Sequence, residues 1–275
     1  MDMARLDGVE IEYEVHGDGE PVLLIHPGIF ADWFAPLVRQ PALSSYQVVH
    51  YHRAGCRGSA PLKGEVTLAQ HATHAHLLLQ HLGIARAHVV GHSSSGNIAL
   101  QLALDGHDAV HSLAILEPAL MTVPSATTSR EFVGASIQQY RAGDRAAAID
   151  TFLRGTCGPD YRAVLDRALP ASFDRAITDA PTFFEQELPA LQDWVFGRDE
   201  ATFIMQPALA VVGARSLTYD PIWGERHQVL LDWLPDVTPV VVPETSHLMQ
   251  VESPAAVAES LASFFIHHPL GVAVV

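Results

Sequence analysis

Val89-Val90-Gly91-His92-Ser93-Ser94-Ser95-Gly96-Asn97 is the stretch on which the fold of this chain turns. An apolar run, Ala87 to Val90, enters it, and a helix-forming run, Asn97 to Leu104, leaves it. Between them the backbone must turn sharply, and small residues flank Ser93 on both sides. This is the small-x-Ser-x-small pattern of a nucleophile elbow, with Ser95 standing where the stricter motif has glycine. Such a turn lifts the serine hydroxyl clear of a sheet. The helix that follows directs its free N–H groups and positive dipole end at the same point.

The pattern continues outward on both sides. Val9 to Val15 alternates apolar and polar residues, as a half-buried strand does. Pro21 to Ile25 is apolar throughout, as a central strand is. Strands are also expected at Tyr46–Tyr51, Val110–Leu116, Ala208–Gly213 and Val237–Val242. Between them lie helix patterns: a short segment from Trp33 to Val38, Leu68–Leu82 capped by Thr67 and closed by Gly83, His227–Leu234 and Pro254–Phe265. Strands alternating with helices imply an α/β fold whose parallel sheet is covered on both faces. From Ala119 to about Ile204 strand-like runs vanish. Helices are expected at Arg130–Arg141, Arg145–Leu153, Tyr161–Ala168 and Thr182–Val195, punctuated by Pro124, Pro159, Pro170 and Pro181. Residues 119–204 thus read as a helical insertion in a core made of 1–118 and 205–275.

Composition narrows the function. The 275 residues are 48% hydrophobic and 17% charged, enough for one large core. A net charge of −15, with Lys63 the only lysine, argues against nucleic acid and anionic membrane surfaces as partners. The N-terminal residues Met1 to Asp7 show no apolar signal core, and no run approaches a membrane span, so a cytoplasmic protein is expected. The two cysteines, Cys56 and Cys157, form no CxxC pair. His71, His74, His76 and His81 share one helix pattern but lack HExxH spacing, so no metal is expected. No cofactor motif is present; Gly55-Cys56-Arg57-Gly58 lacks the phosphate-loop pattern.

In a parallel sheet, ligands bind at the carboxyl ends of the strands. Ser93 ends one strand and needs a base within hydrogen-bond reach. His247, after the last strand, has the right place and chain order. An acid must orient that imidazole. Ser216 stands where an Asp would be expected, about three residues past Gly213. Glu117, which ends the strand after the nucleophile helix, is favoured, with Asp220 as the alternative. An oxyanion would be held by the Ser94 N–H and by a donor from the loop after Ile25. Pro27 has no N–H, so Gly28 is expected, with Ile29 in reserve.

Taken together, the elbow Gly91-His92-Ser93-Ser94-Ser95, the loop His26-Pro27-Gly28, the loop Arg53-Ala54-Gly55-Cys56-Arg57-Gly58-Ser59 and Ser246-His247 resemble the α/β-hydrolase superfamily, in family order from about Val9 to Phe265. The resemblance implies a mostly parallel eight-stranded sheet with helices on both faces and residues 119–204 as a cap over the pocket. It departs from the usual pattern in having His-Pro-Gly for His-Gly-x and in lacking the late Asp. Members that use a Glu after the sixth strand include haloalkane dehalogenases, whose nucleophile is Asp, and zearalenone-type lactonases, which suit a serine better. The expected activity is hydrolysis of a small, fairly apolar ester or lactone through an acyl-enzyme by a monomer or homodimer. Trp194, Phe183, Phe184 and Phe196 are the candidate pocket residues. Amide or C–C hydrolysis, or ligand sensing on the same scaffold, are the alternatives.

Overall fold

In the computed structural model, which describes residues 1–106 and 108–271, the apolar and alternating runs form one eight-stranded sheet. The strands are β1 Asp2–Leu6, β2 Val9–His16, β3 Glu20–Ile25, β4 Tyr46–Tyr51, β5 Ala87–His92, β6 Val110–Leu116, β7 Ala208–Gly213 and β8 Val237–Val242. Their spatial order is β1-β2-β4-β3-β5-β6-β7-β8. β2 pairs antiparallel with β1 and β4, and every other pairing is parallel. β1 is the strand that hydrophobic periodicity does not reveal, because only Ala4 and Leu6 of its five residues are buried. Its turn carries a signal all the same. Asp7 and Gly8 both take left-handed backbone, φ 47° and 81°, as a two-residue hairpin requires.

The central strands bury both faces. Successive side chains therefore alternate between two cores: Leu23 and Val89 join one, Leu24 and Val90 the other. The helix Leu68–His81 covers the first face. Thr67 Oγ1 accepts from the Gln70 N–H at 3.2 Å, while Gln70 Oε1 accepts from the Thr67 N–H at 2.9 Å, closing a capping box. The helix Pro254–His267 covers the second face through Val257, Leu261 and Phe265.

Two of the differences from the sequence reading arise at prolines. The helix expected from His227 begins at Pro221, where a missing N–H is harmless, and Asp220 caps it by accepting from the Ile222 N–H at 2.9 Å. Pro181, read as a break, instead ends a helix Ser172–Pro181 that continues as a wider π turn, Thr182–Glu187, and then as Leu188–Asp193. Widening the turn accommodates the ring that an α-helix would exclude. Ahead of these come Ala126–Arg141, Arg145–Cys157 and Tyr161–Ala168. Ile149, Leu153, Leu165 and Phe183 from this stretch pack with Ile29, Trp33 and Leu248, which follow β3 and β8. The helical segment thus lies against the carboxyl ends of the strands. No helix among the described residues is long and apolar enough to cross a membrane.

Histidine is common in the interior. Burial holds His26, His71 and His92 well below the usual imidazole range and lowers His88 to about 4. Each is neutral in the folded chain but takes a proton near pH 6.5 when unfolded. Stability is therefore present above that pH and is lost as pH falls, by up to about 1.4 kcal/mol per pH unit for each such histidine. Glu117 and Asp179, whose carboxyls burial raises, act in the opposite sense but are fewer. Urea unfolding at pH 7.5 and pH 5.5 is expected to show a clearly lower midpoint at pH 5.5.

Candidate active site

Ser93 has left-handed backbone, φ 55° and ψ −127°, a conformation that costs a non-glycine residue energy and persists only when neighbours enforce it. Its N–H donates to Leu116 O at 3.0 Å, and its carbonyl accepts from Gly96 N–H at 2.9 Å and Ala119 N–H at 3.2 Å. Gly91 is required two residues earlier because a Cβ there would strike the Ser95 carbonyl. Gly96 allows the close approach of Pro118: an added Cβ would lie 3.0 Å from the Pro118 Cβ. The Asn97 side chain completes the clamp, accepting from Ala119 N–H at 2.9 Å and donating to Ala119 O at 3.2 Å. The same contacts that bend Ser93 out of β5 therefore hold the end of β6, where Glu117 also sits at positive φ, 41°.

Glu117 and His247 meet. His247 Nδ1 lies 2.6 Å from Glu117 Oε2, and the other carboxylate oxygen accepts from Gly213 N–H at 2.8 Å. Facing a carboxylate, Nδ1 carries the proton, which leaves Nε2 free to accept one. Asp220 is not in this arrangement, because its Oδ1 caps the following helix at Ile222. Ser216 is buried at the start of a short helix after β7. Burial raises the Glu117 carboxyl despite the Gly213 N–H, and burial together with Arg226 lowers the His247 imidazole. Both shifts disfavour extra charge in a dry site, so the imidazole stays neutral, as a general base must be.

A column of rings packs His247 against His92, the residue before Ser93. Trp223 stacks on His247 with centroids 4.3 Å apart, and His92 covers its other side at 4.4 Å. Trp33 stacks in turn on His92 at 5.4 Å. Gln250 reaches His92 Nδ1 at 3.2 Å, which assigns the His92 proton to Nε2. Because His92 immediately precedes Ser93, the slot that orients the imidazole is part of the elbow itself. No hydrogen bond joins Ser93 Oγ to His247 among the described residues; such contacts commonly tighten only around a bound substrate. Trp33, Trp223 and Gln250 are residues that sequence reasoning missed, since nothing in their spacing points to His247.

The loop after β3 is tied to the elbow by two serine hydroxyls. Ser95 Oγ donates to His26 O, and Ser94 Oγ accepts from the Gly28 N–H at 2.9 Å. The expected donor at Gly28 is thus already engaged. Ile29 is left-handed, φ 75°, and its N–H makes no hydrogen bond among the described residues. Gly28 itself is sterically required: a Cβ would lie 2.7 Å from Glu187 Oε2 and 2.9 Å from the Phe183 ring. Behind the loop, Arg53 Nε donates to His26 O at 3.0 Å and Arg53 Nη2 lies 2.7 Å from Glu187 Oε1. Burial works against the Arg53 charge, but Glu187 more than offsets it and the guanidinium is held above its ordinary value.

Ser93 opens on a cavity of about 70 Å³ whose apolar wall includes Met121, Phe132, Phe152, Leu188, Ile222 and Trp223. The four aromatic residues expected to line it do not. Trp194 and Phe196 stack on each other, 5.2 Å apart and 4° from parallel, and Trp194 donates to Gln101 Oε1 at 2.7 Å. Phe183 packs edge-on behind Phe152, centroids 4.7 Å apart, and Phe184 stacks on Tyr140. Their spacing marks packing faces, and burial alone does not reveal which face meets a cavity. The histidines of the Leu68–His81 helix are likewise dispersed. His71 and His74 are buried, His76 contacts Gln80, and His81 meets the Tyr13 ring. No group of three or more metal-ligating side chains is gathered among the described residues.

The Arg53–Glu187 pair joins the helical segment to the loop at Gly28 inside the protein. Removing one partner of such a pair leaves a buried charge, so Glu187→Ala is expected to cost about 3–5 kcal/mol, measured by urea unfolding. The double variant Arg53→Met/Glu187→Leu is expected to recover most of that loss.

Known proteins share this fold. The sequence matches the family described as alpha/beta hydrolase fold over residues 21–254. A dihydrolipoyllysine-residue acetyltransferase component of the acetoin cleaving system from Cupriavidus necator is 30% identical over 257 residues, which is 90% of this chain and 64% of that protein. The chain thus spans less than two thirds of that relative's length. It resembles the enol-lactonase from Burkholderia xenovorans, with TM-score 0.81 and 23% identity, over 96% of this chain and all of the other. A thermophilic esterase from Thermogutta terrifontis gives TM-score 0.82 and 18% identity over 98% of this chain and 100% of the esterase. By the extent of the family match, and with the sheet order and elbow in place, the chain belongs to the alpha/beta hydrolase fold family.

Proposed function

We propose that this protein is a serine hydrolase of small, fairly apolar carboxylic esters or lactones. The observation that carries the reading is the left-handed Ser93 on the wall of an apolar cavity, directly after His92, whose ring packs 4.4 Å from the imidazole that Glu117 holds at 2.6 Å. Ser93 Oγ attacks the carbonyl carbon and its proton passes to His247 Nε2. Glu117 stabilises the imidazolium that forms, and the flanking Trp223 face favours the same charge. The Ser94 N–H, at the start of the helix Ser94–Leu104, and the unengaged Ile29 N–H are the donors for the oxyanion. His247 then returns the proton to the departing alkoxide oxygen. Water repeats the sequence on the acyl-enzyme: its proton goes to His247, its oxygen to the carbonyl carbon, and Ser93 leaves reprotonated. A lactone differs only in that its alcohol stays attached to the acyl group. The helices within 119–204 serve as the cap over this site, and residues 1–118 and 205–275 form the core. The esterase and lactonase names of structural relatives agree with the reading.

A 4-nitrophenyl ester series tests it. The wild type is expected to turn over short acyl chains and to be labelled by a fluorophosphonate, and Ser93→Ala to do neither. Glu117→Ala is expected to lower kcat by roughly 10³- to 10⁴-fold. Asp220→Ala is expected to cost mainly helix-cap stability, about 1 kcal/mol. Wild-type protein that neither hydrolyses esters nor takes the label would overturn the proposal.

A further inference from the structure

Arg53 and Arg226 are both buried, 1% and 5% exposed, and they are treated differently. Arg53 has its carboxylate, Glu187, at 2.7 Å. Arg226 has none within 4.0 Å among the described residues. Its Nε donates to Leu120 O at 2.8 Å, and Nη2 reaches only the Met121 sulfur at 3.7 Å. Nη1 makes no hydrogen bond among the described residues, and the guanidinium carbon lies 5.1 Å from the Trp223 ring centre. The nearby acids are committed elsewhere. Glu117 takes His247 and the Gly213 N–H, Asp220 caps at Ile222, and Glu225 accepts from the Ser125 N–H at 2.8 Å and hydroxyl at 2.7 Å. Burial accordingly pushes Arg226 down to about 10, although Glu117, Asp220 and Glu225 act against the shift. A guanidinium has five donors, and leaving a buried charge unpaired is expensive.

Arg226 lines the cavity that opens on Ser93. Arg130 lines it too, and Asp220 is the one carboxylate among the lining residues, so the wall is net positive in a chain of net charge −15. We propose that Arg226 is a carboxylate subsite: the ester or lactone cleaved at Ser93 carries a carboxylate that pairs with the unused guanidinium donors. The inference rests on the esterase reading and adds the class of substrate. A purely structural Arg226, acting as a distant counter-charge to Glu117, would affect charged and neutral substrates alike.

The test compares mono-4-nitrophenyl glutarate with the matching 4-nitrophenyl glutaramate, which has the same length without the charge. In the wild type, kcat/KM is expected to favour the anionic ester by about tenfold or more, and in Arg226→Met that ratio is expected to fall by about 30-fold or more. Arg226→Lys, which keeps the charge but not the fork of donors, is expected to lie between and guards against a misfolded methionine variant. Independently of turnover, calorimetry is expected to show glutarate binding to the wild type and not to Arg226→Met, with glutaramide binding to neither. An equal effect of Arg226→Met on both esters, or no glutarate binding to the wild type, would overturn the subsite. Hydrolysis of the neutral ester that disappears in Ser93→Ala would still uphold the esterase reading in that case.

Discussion

The left-handed backbone at Ser93 is the constraint on which the site depends. A serine does not hold that conformation unaided. Here the Leu116 carbonyl, the Ala119 and Gly96 amides and the Asn97 side chain enforce it, and these groups lie at the end of β6 and the start of the elbow helix. The bend therefore exists only when β5 and β6 are in register and the helix packs back on them. It also places Glu117 beside β7, where Gly213 N–H and His247 are within reach. One piece of backbone geometry thus sets the positions of both the serine and the carboxylate.

Around that turn the site is built by excluding water and assigning each polar group a partner. His26 illustrates the economy: its Nδ1 faces Pro27 O at 2.7 Å and its Nε2 accepts from Arg53 N–H at 2.8 Å, so a fully buried imidazole stays neutral and satisfied. The ring column Trp33–His92–His247–Trp223 restrains the imidazole from both sides without competing for its nitrogens. Against this background Arg226 stands out, because its neighbours have spent their acceptors elsewhere.

Much of the fold was legible because its signals are local. Strands β2 to β8 follow from period-two or continuous apolar runs, and the Thr67 cap from the chemistry of one turn. β1 was missed because a five-residue edge strand with two buried side chains has too little pattern, although Asp7-Gly8 marked its turn. Pro181 misled because proline breaks an α-helix but can be absorbed by a π turn, and that choice depends on what packs around it. Trp194, Phe183, Phe184 and Phe196 misled because a helix period separates buried from exposed faces and not core from cavity wall.

By itself the sequence determined the order of strands β2 to β8, the serine at the elbow, and the segments after β6 and β8 that carry Glu117 and His247. These follow from residue type and short-range periodicity, which act within a few residues. Only the tertiary structure decided that Glu117 and not Asp220 reaches His247, that Ser94 occupies the Gly28 amide, and which rings wall the cavity. It alone left Arg226 without a carboxylate. Each of these joins residues tens to more than a hundred positions apart, and the sheet register and helix packing that bring them within bonding distance have no counterpart in local pattern.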